Sequence, residues 1–211
     1  MSKKKRSHSS QQWLRRQQTD FYVQEAQKKG LRSRAGIKLE ELQERDKVFK
    51  PGMVCVDLGA APGGWSQVIR PWLGNKGRLF ALDILPMNPL AGVEFLEGDF
   101  TKDEVLHEFE QMVGEDPVDV VASDMAPNFT GIKSVDQARS MHLCELALDF
   151  AVNHLKKDGS FLVKCFQGEG YDEYLRMLKQ HFKNFYCRKP QSSRSESREV
   201  YILAKGFIPG R

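Results

Sequence analysis

At 211 residues the chain corresponds to one ordinary domain with a small appendage, long enough for a full sheet with helices on both faces. Its net charge of +4 is uneven: residues 1–38 carry eleven Lys and Arg against two acids, or +9, which leaves −5 for the remainder. A basic arm on an acidic body points to a polyanionic partner, RNA or DNA, and no apolar run approaches membrane-spanning length.

The N-terminus is charged, with no apolar stretch behind it, so no secretory signal is expected and a cytoplasmic location follows. The cysteines Cys55, Cys144, Cys165 and Cys187 are scattered, without a C-x-x-C pair. They read as thiols in a reducing compartment, not as disulfides or metal ligands. The five histidines show no ligand spacing, so no metal site is expected.

Residues 1–30 form a basic arm: a Lys/Ser-rich start, expected to be partly flexible, then one or two helices between Gln11 and Lys29. Residues 31–211 form the main domain. Ser33 is placed to cap a helix carrying Ala35, Lys38, Leu39 and Leu42. Pro51-Gly52 breaks the chain and launches a strand over Met53–Leu58. A glycine turn, Gly59 to Gly64, follows. Then Trp65, Val68, Ile69 and Trp72 recur at the spacing of one helix face.

Strand, glycine turn, helix is the opening unit of a nucleotide-binding α/β sheet. A dinucleotide turn would need a glycine at position 61, which is Ala61, followed by Pro62; no Lys-Ser/Thr follows, so it is not a P-loop either. An adenosine ligand without a phosphate fits better, and S-adenosylmethionine is the common one.

Further strands are predicted at Arg78–Asp83, Val93–Leu96, Val118–Ser123, Ser160–Phe166, Phe185–Arg188 and Glu199–Ala204. Helical patterns cover Val105–Val113, Ser134–Leu155 and Tyr171–Phe182. The order reads as strands and helices alternating in every connection up to the last two strands, which are joined by the loop Lys189–Arg198. That order gives a mostly parallel seven-stranded sheet with an antiparallel last strand and helices on both faces.

Ligands in such sheets bind at the carboxyl ends of the strands. Asp83, Asp99 and Asp124 all fall there, beside the glycine turn. Asp83 lies 19 residues after Gly64, the spacing of an acid that grips a ribose diol. Asp99 would face the adenine and Asp124 the methionine end. Lys164 interrupts the apolar run Phe161–Phe166, and Lys is seldom buried in a strand unless paired. Asp124, Glu199 and Lys38 are the candidates to lie near it; a purely structural Lys164–Glu199 ion pair is the bland reading.

Five segments, Arg32-Ser-Arg-Ala-Gly-Ile-Lys-Leu39, Asp57-Leu-Gly-Ala-Ala-Pro-Gly-Gly-Trp65, Ser123-Asp-Met-Ala-Pro-Asn128, Val163-Lys-Cys-Phe-Gln-Gly168 and Ser193-Arg-Ser-Glu-Ser-Arg-Glu-Val-Tyr201, resemble the FtsJ/RrmJ family of bacterial heat-shock ribose 2′-O-methyltransferases. The resemblance spans nearly the whole chain. It implies a class I S-adenosylmethionine-dependent methyltransferase (Rossmann-like) fold over residues 31–211. It also implies a catalytic tetrad of Lys38, Asp124, Lys164 and Glu199, with Lys164 as proton acceptor, and cofactor contacts from Gly63, Trp65, Asp83, Asp99 and Asp124.

The substrate so implied is a uridine of 23S rRNA on the large ribosomal subunit, since tRNA-modifying relatives carry C-terminal extensions; a monomer is expected. Arg32, Arg34, Arg194 and Arg198, with Arg15, Arg16, Lys28 and Lys29, are the expected phosphate contacts. Rival readings are a tRNA ribose methyltransferase, an NAD-dependent oxidoreductase and a non-catalytic RNA-binding assembly factor.

Overall fold

The computed structural model describes residues 21–194 and 196–210. The arm is seen as helix α1, Phe21–Lys28. Its earlier part, including Arg15 and Arg16, lies outside the described residues. Then follow α2 (Ala35–Asp46), β1 (Val54–Leu58), α3 (Gly64–Leu73), β2 (Arg78–Asp83), β3 (Glu94–Glu97), α4 (Asp103–Val113) and β4 (Val118–Ser123). The chain continues with α5 (Lys133–His154), β5 (Leu155–Phe166), α6 (Tyr171–His181), β6 (Phe182–Arg188) and β7 (Glu199–Phe207).

One seven-stranded sheet forms, in the order β3-β2-β1-β4-β5-β7-β6. β1 to β5 pair in parallel, and β7 inserts antiparallel between β5 and β6. The sheet is therefore the expected one, mostly parallel with an antiparallel last strand. Side chains alternate between its two faces. Val56, Leu58, Val121, Phe161 and Val163 pack in one core with α4, α5 and α6. Cys55, Val120, Ala122, Leu162 and Leu203 pack in the other with α2 and α3.

Three local expectations are corrected. The β2–β3 connection holds no helix, because Pro86 and Pro89 fall three residues apart within it and each removes a backbone donor. Ser33 does not cap α2: Arg34 occupies that position, with no side-chain cap bond. Ser33 instead turns its Oγ to Gly64, where a Cβ would lie 2.0 Å from it. The Asp158-Gly159 turn sits inside β5, as an irregularity where Val118 pairs with Leu155 but Val120 pairs with Ser160.

The strand order reverses direction between β1 and β4, and a crevice opens at such a point. Its walls are pinned by the backbone: Gly59 N–H donates to Leu82 O (2.8 Å) and Asp124 N–H to Leu58 O (3.0 Å). Gly59 has φ +80°, and a Cβ there would lie 2.8 Å from Met125 N. Only glycine allows the β1 and β4 loops to approach this closely. Gly59→Ala should therefore destabilise the fold by roughly 2–4 kcal/mol, combining a left-handed backbone with overpacking. Chemical denaturation of the variant beside wild type measures this.

Candidate active site

The glycine turn and the ends of β2, β3 and β4 enclose a cavity of about 390 Å³, lined in part by Gly59, Asp83, Leu85, Asp99, Asp124 and Asn128. Asp83 shapes it directly. Its Oδ2 accepts from Ala61 N–H (2.9 Å) in the turn, and its Oδ1 accepts from Leu85 N–H (2.8 Å). Each carboxylate oxygen keeps a second lone pair, so both remain able to accept from a ligand. Burial pushes the Asp83 carboxyl above its ordinary pKa. Asp99 points its Oδ1 to Thr101, accepting from N–H (3.0 Å) and Oγ1 (2.8 Å), and these bonds hold its pKa low.

Gly63 and Trp65 do not line this cavity with side chains. Gly63 stands at φ +101° before α3. The Trp65 indole is buried: its N–H donates to Ala35 O (3.0 Å) and its ring tilts against Tyr201 at 5.7 Å. Any contact of Trp65 with a ligand is through its backbone, in the helix turn whose N–H groups lack intrahelical partners.

Beside the cavity Lys38, Asp124, Lys164 and Glu199, the four residues expected to form a tetrad, come together. Lys38 and Lys164 are each only 8% exposed, so each needs a charged partner. Lys164 Nζ lies 3.2 Å from Asp124 Oδ1 and also donates to Asp124 O. Lys38 Nζ is ion-paired with Glu199 Oε1. The bland Lys164–Glu199 pairing is not what forms. Tyr201 joins the two pairs: its hydroxyl donates to Asp124 Oδ1 (3.1 Å) and accepts from Lys38 Nζ at 3.4 Å.

Burial alone would raise the Glu199 carboxyl, but the Lys38 ammonium overrides it, helped by Lys164 and by Ser193 Oγ at 3.1 Å, and the pKa ends below the usual range. Burial, with Asp124 and Glu199 alongside, drives the Tyr201 phenol well up, so it stays a neutral donor.

Tyr201 and Ser193 carry no role in the sequence reading. The signal for Tyr201 was present, since an antiparallel β5–β7 pair that sets Phe166 opposite Glu199 sets Lys164 opposite Tyr201. Asp57 was also passed over. It is fully buried, accepts from Ser66 Oγ (2.6 Å), and its Oδ1 has no partner.

The expected phosphate contacts separate into two kinds. Arg32 binds the fold itself, donating to Pro62 O (3.2 Å), Asn88 O (2.6 Å) and Pro89 O (2.9 Å), so it straps the glycine turn to the β2–β3 loop. Arg34 donates to Ser192 O (3.0 Å). Glu41 accepts from the N–H groups of Gln191 (2.6 Å) and Ser192 (3.1 Å), so the loop carrying Ser193 is clamped on α2. Arg194 and Arg198 are exposed on that loop, and Lys28 is exposed on α1. Lys29 pairs with Glu40 at 2.7 Å. Among the described residues no group of three or more His, Cys, Asp or Glu could hold a metal ion, and no helix is long and apolar enough to cross a membrane.

Burial, with Asp124 and Asp83 nearby, pushes Asp57 up to about 7. An unfolded Asp releases its proton near a pKa of about 3.9, so the folded chain binds the extra proton between these values. The stability this group contributes is full below the lower value and is lost as pH rises through the upper one. Asp57→Asn removes that slope. Its melting temperature relative to wild type should climb from pH 4 to pH 7, and a constant offset across that window would contradict the assignment.

The family model of FtsJ-like methyltransferases matches residues 31–207. A protein of Stenotrophomonas maltophilia (strain K279a) named ribosomal RNA large subunit methyltransferase E is 59% identical over 201 residues, 95% of this chain and 96% of its own. A protein of the same name from Xanthomonas campestris pv. campestris (strain B100) is 58% identical over the same shares. The crystal structure of a Plasmodium falciparum protein assigned as a ribosomal RNA methyltransferase superposes with a TM-score of 0.76 at 29% identity, over 84% of this chain and 99% of that one. The methyltransferase MycE of mycinamycin biosynthesis, solved with Mg and S-adenosylhomocysteine, shares the fold alone, with a TM-score of 0.53 at 13% identity over 83% of this chain and 49% of that one. The chain belongs to the FtsJ-like methyltransferase family.

Proposed function

We propose that this enzyme transfers a methyl group from S-adenosylmethionine to the ribose 2′-hydroxyl of a uridine in 23S rRNA, acting as a cytoplasmic monomer on the large ribosomal subunit. The observation that carries the reading is the buried Lys164–Asp124 pair at the edge of a carboxylate-lined cavity. The names of the relatives supply the RNA class.

The cavity suits the cofactor by its donor set. Asp83 offers lone pairs to a ribose diol, and Asp99 offers an acceptor to an exocyclic amine. Leu85 and Phe100 supply apolar walls for a purine. The backbone at Gly63 and Trp65, opening α3, would hold the cofactor's carboxylate as helix N-termini hold anions. Asp124, which lines the cavity and pairs with Lys164, would meet the methyl-bearing end. S-adenosylmethionine, when bound, supplies a methyl on a positively charged sulfur, so no metal is needed to make the electrophile.

The difficulty is the nucleophile, because a ribose hydroxyl is a weak acid. It must be aligned and must lose its proton as the new bond forms. An ammonium has three donor positions. Asp124 takes two of those of Lys164, through its side chain and its carbonyl, which leaves one directed contact for the hydroxyl oxygen. Once that third position has given its proton to solvent, its lone pair faces the hydroxyl, and Lys164 takes the hydroxyl proton at Nζ as the new C–O bond forms, returning to the ammonium. Tyr201 fixes Asp124, and Lys38 with Glu199 holds the opposite wall. Arg34, Arg194 and Arg198 meet phosphates, while Arg32 holds the cavity wall.

The test is transfer of labelled methyl to large subunits from cells lacking the activity, to naked 23S rRNA and to bulk tRNA. Label is expected on subunit RNA. Lys164→Ala should lower the rate by at least about 100-fold, the lower range for losing a general base. Asp83→Ala should weaken cofactor binding with RNA binding unchanged. Label on tRNA alone would overturn the substrate, and cofactor binding without transfer to any RNA would favour a binding module.

A further inference from the structure

Phe129 presents an oddity beside the active site. It is 61% exposed, yet it sits on a firmly held loop. The Asp136 carboxylate accepts from Thr130 N–H (2.7 Å), Thr130 Oγ1 (2.8 Å) and Gly131 N–H (3.0 Å), and so fixes the residues that follow Phe129. The Phe129 ring meets the Phe166 ring edge to face, at 5.7 Å and 85°. Phe166 is held in turn, because Gln137 Nε2 donates to both Phe166 O (3.0 Å) and Glu169 O (3.0 Å). A large apolar ring on a rigid, open support loses the stabilisation of burial unless something covers it.

Its position selects the cover. Phe166 lies two residues beyond Lys164 on β5, hence on the same face and about 6.6 Å further along the strand. Phe129 lies one ring beyond Phe166. The cofactor cavity, by contrast, ends at Asn128 and does not include Phe129. The arginine at 198 is close: a Cβ on Gly168, two residues past Phe166, would lie 3.2 Å from its Nη1. An aromatic face next to the strand end that carries Lys164, with a cation alongside, is what an unstacked base and its phosphate require.

We infer that Phe129, braced by Phe166, is the stacking platform for the base of the RNA nucleotide whose ribose enters the site. The inference rests on the proposed RNA methyl transfer and adds the residue that positions the target. Lys164 is almost fully buried, so a ribose reaching it has left its helical stack. The Phe129 ring replaces the lost stacking partner. Stacking accepts any base, so the platform gives position and not base identity.

The test compares wild type with Phe129→Ala, Phe129→Leu and Phe129→Trp on undermethylated large subunits. Three quantities are measured: kcat/KM for the particle, particle affinity in the absence of turnover, and affinity for S-adenosylmethionine. Phe129→Ala and Phe129→Leu should both lose about 5- to 150-fold in kcat/KM, the range for losing one aromatic–base stack. Phe129→Trp should stay within about threefold of wild type, because it keeps a π-face. Cofactor affinity should not change in any variant.

A Leu variant as active as wild type would overturn the platform and leave only apolar packing. So would an unchanged Ala variant, or a fall in cofactor affinity that accounts for the lost rate. Wild type that binds particles without methylating them would defeat the proposed reaction. The affinity ratio between wild type and Phe129→Ala would then still decide the stacking.

Discussion

Two lysine ammonium groups inside one sheet protein are the constraint that the rest of the site answers to. An uncompensated buried charge is costly, and breaking such a pair by removing one partner costs about 3–5 kcal/mol. Lys164 is paired with Asp124, and Lys38 with Glu199. The two pairs come from four separate segments: the first forms only once β4 lies beside β5, the second only once β7 meets α2. Tyr201 connects them with one hydroxyl that both donates and accepts. A purely structural protein would gain as much from apolar residues of similar volume. The proposed methyl transfer gives the charges a use, since there a proton has to be moved.

Sheet topology delivers these groups to one place. Reversal of strand order between β1 and β4 opens the crevice. The antiparallel insertion of β7 beside β5 brings Glu199 and Tyr201 to the same end as Lys164. A seventh strand running parallel would have carried them to the opposite edge. Asp83 then acts twice, holding the glycine turn through Ala61 N–H while facing the cavity. Arg32 locks the same turn from outside through three carbonyls. The cavity is thus shaped by contacts within the protein itself, the kind of support that electrostatic preorganisation requires.

Much of this was legible in the sequence because the signals are local. Short apolar runs closed by an acid, Asp83 and Asp124, mark β2 and β4, and a Lys inside an apolar run announces Lys164. What the sequence did not yield depends on contacts between distant segments. Tyr201 reads as one more strand aromatic until the β5–β7 register is known. Arg32 reads as a phosphate ligand until Asn88 and Pro89 are found beneath it, 56 and 57 residues away. Asp57 looks like an ordinary strand-end acid, and only its complete burial with one unpartnered oxygen sets it apart. The missing helix between β2 and β3 was within reach, since Pro86 and Pro89 forbid it.

The most direct measurement is the identity of the methylated nucleoside. Large-subunit RNA, reacted with this enzyme and S-adenosylmethionine, would be digested to nucleosides and analysed by mass spectrometry. The account predicts 2′-O-methyluridine, with the added mass on the sugar fragment, because it assigns the deprotonation of a ribose hydroxyl to Lys164 beside Asp124. A base-methylated nucleoside, with the added mass on the base fragment, would contradict it.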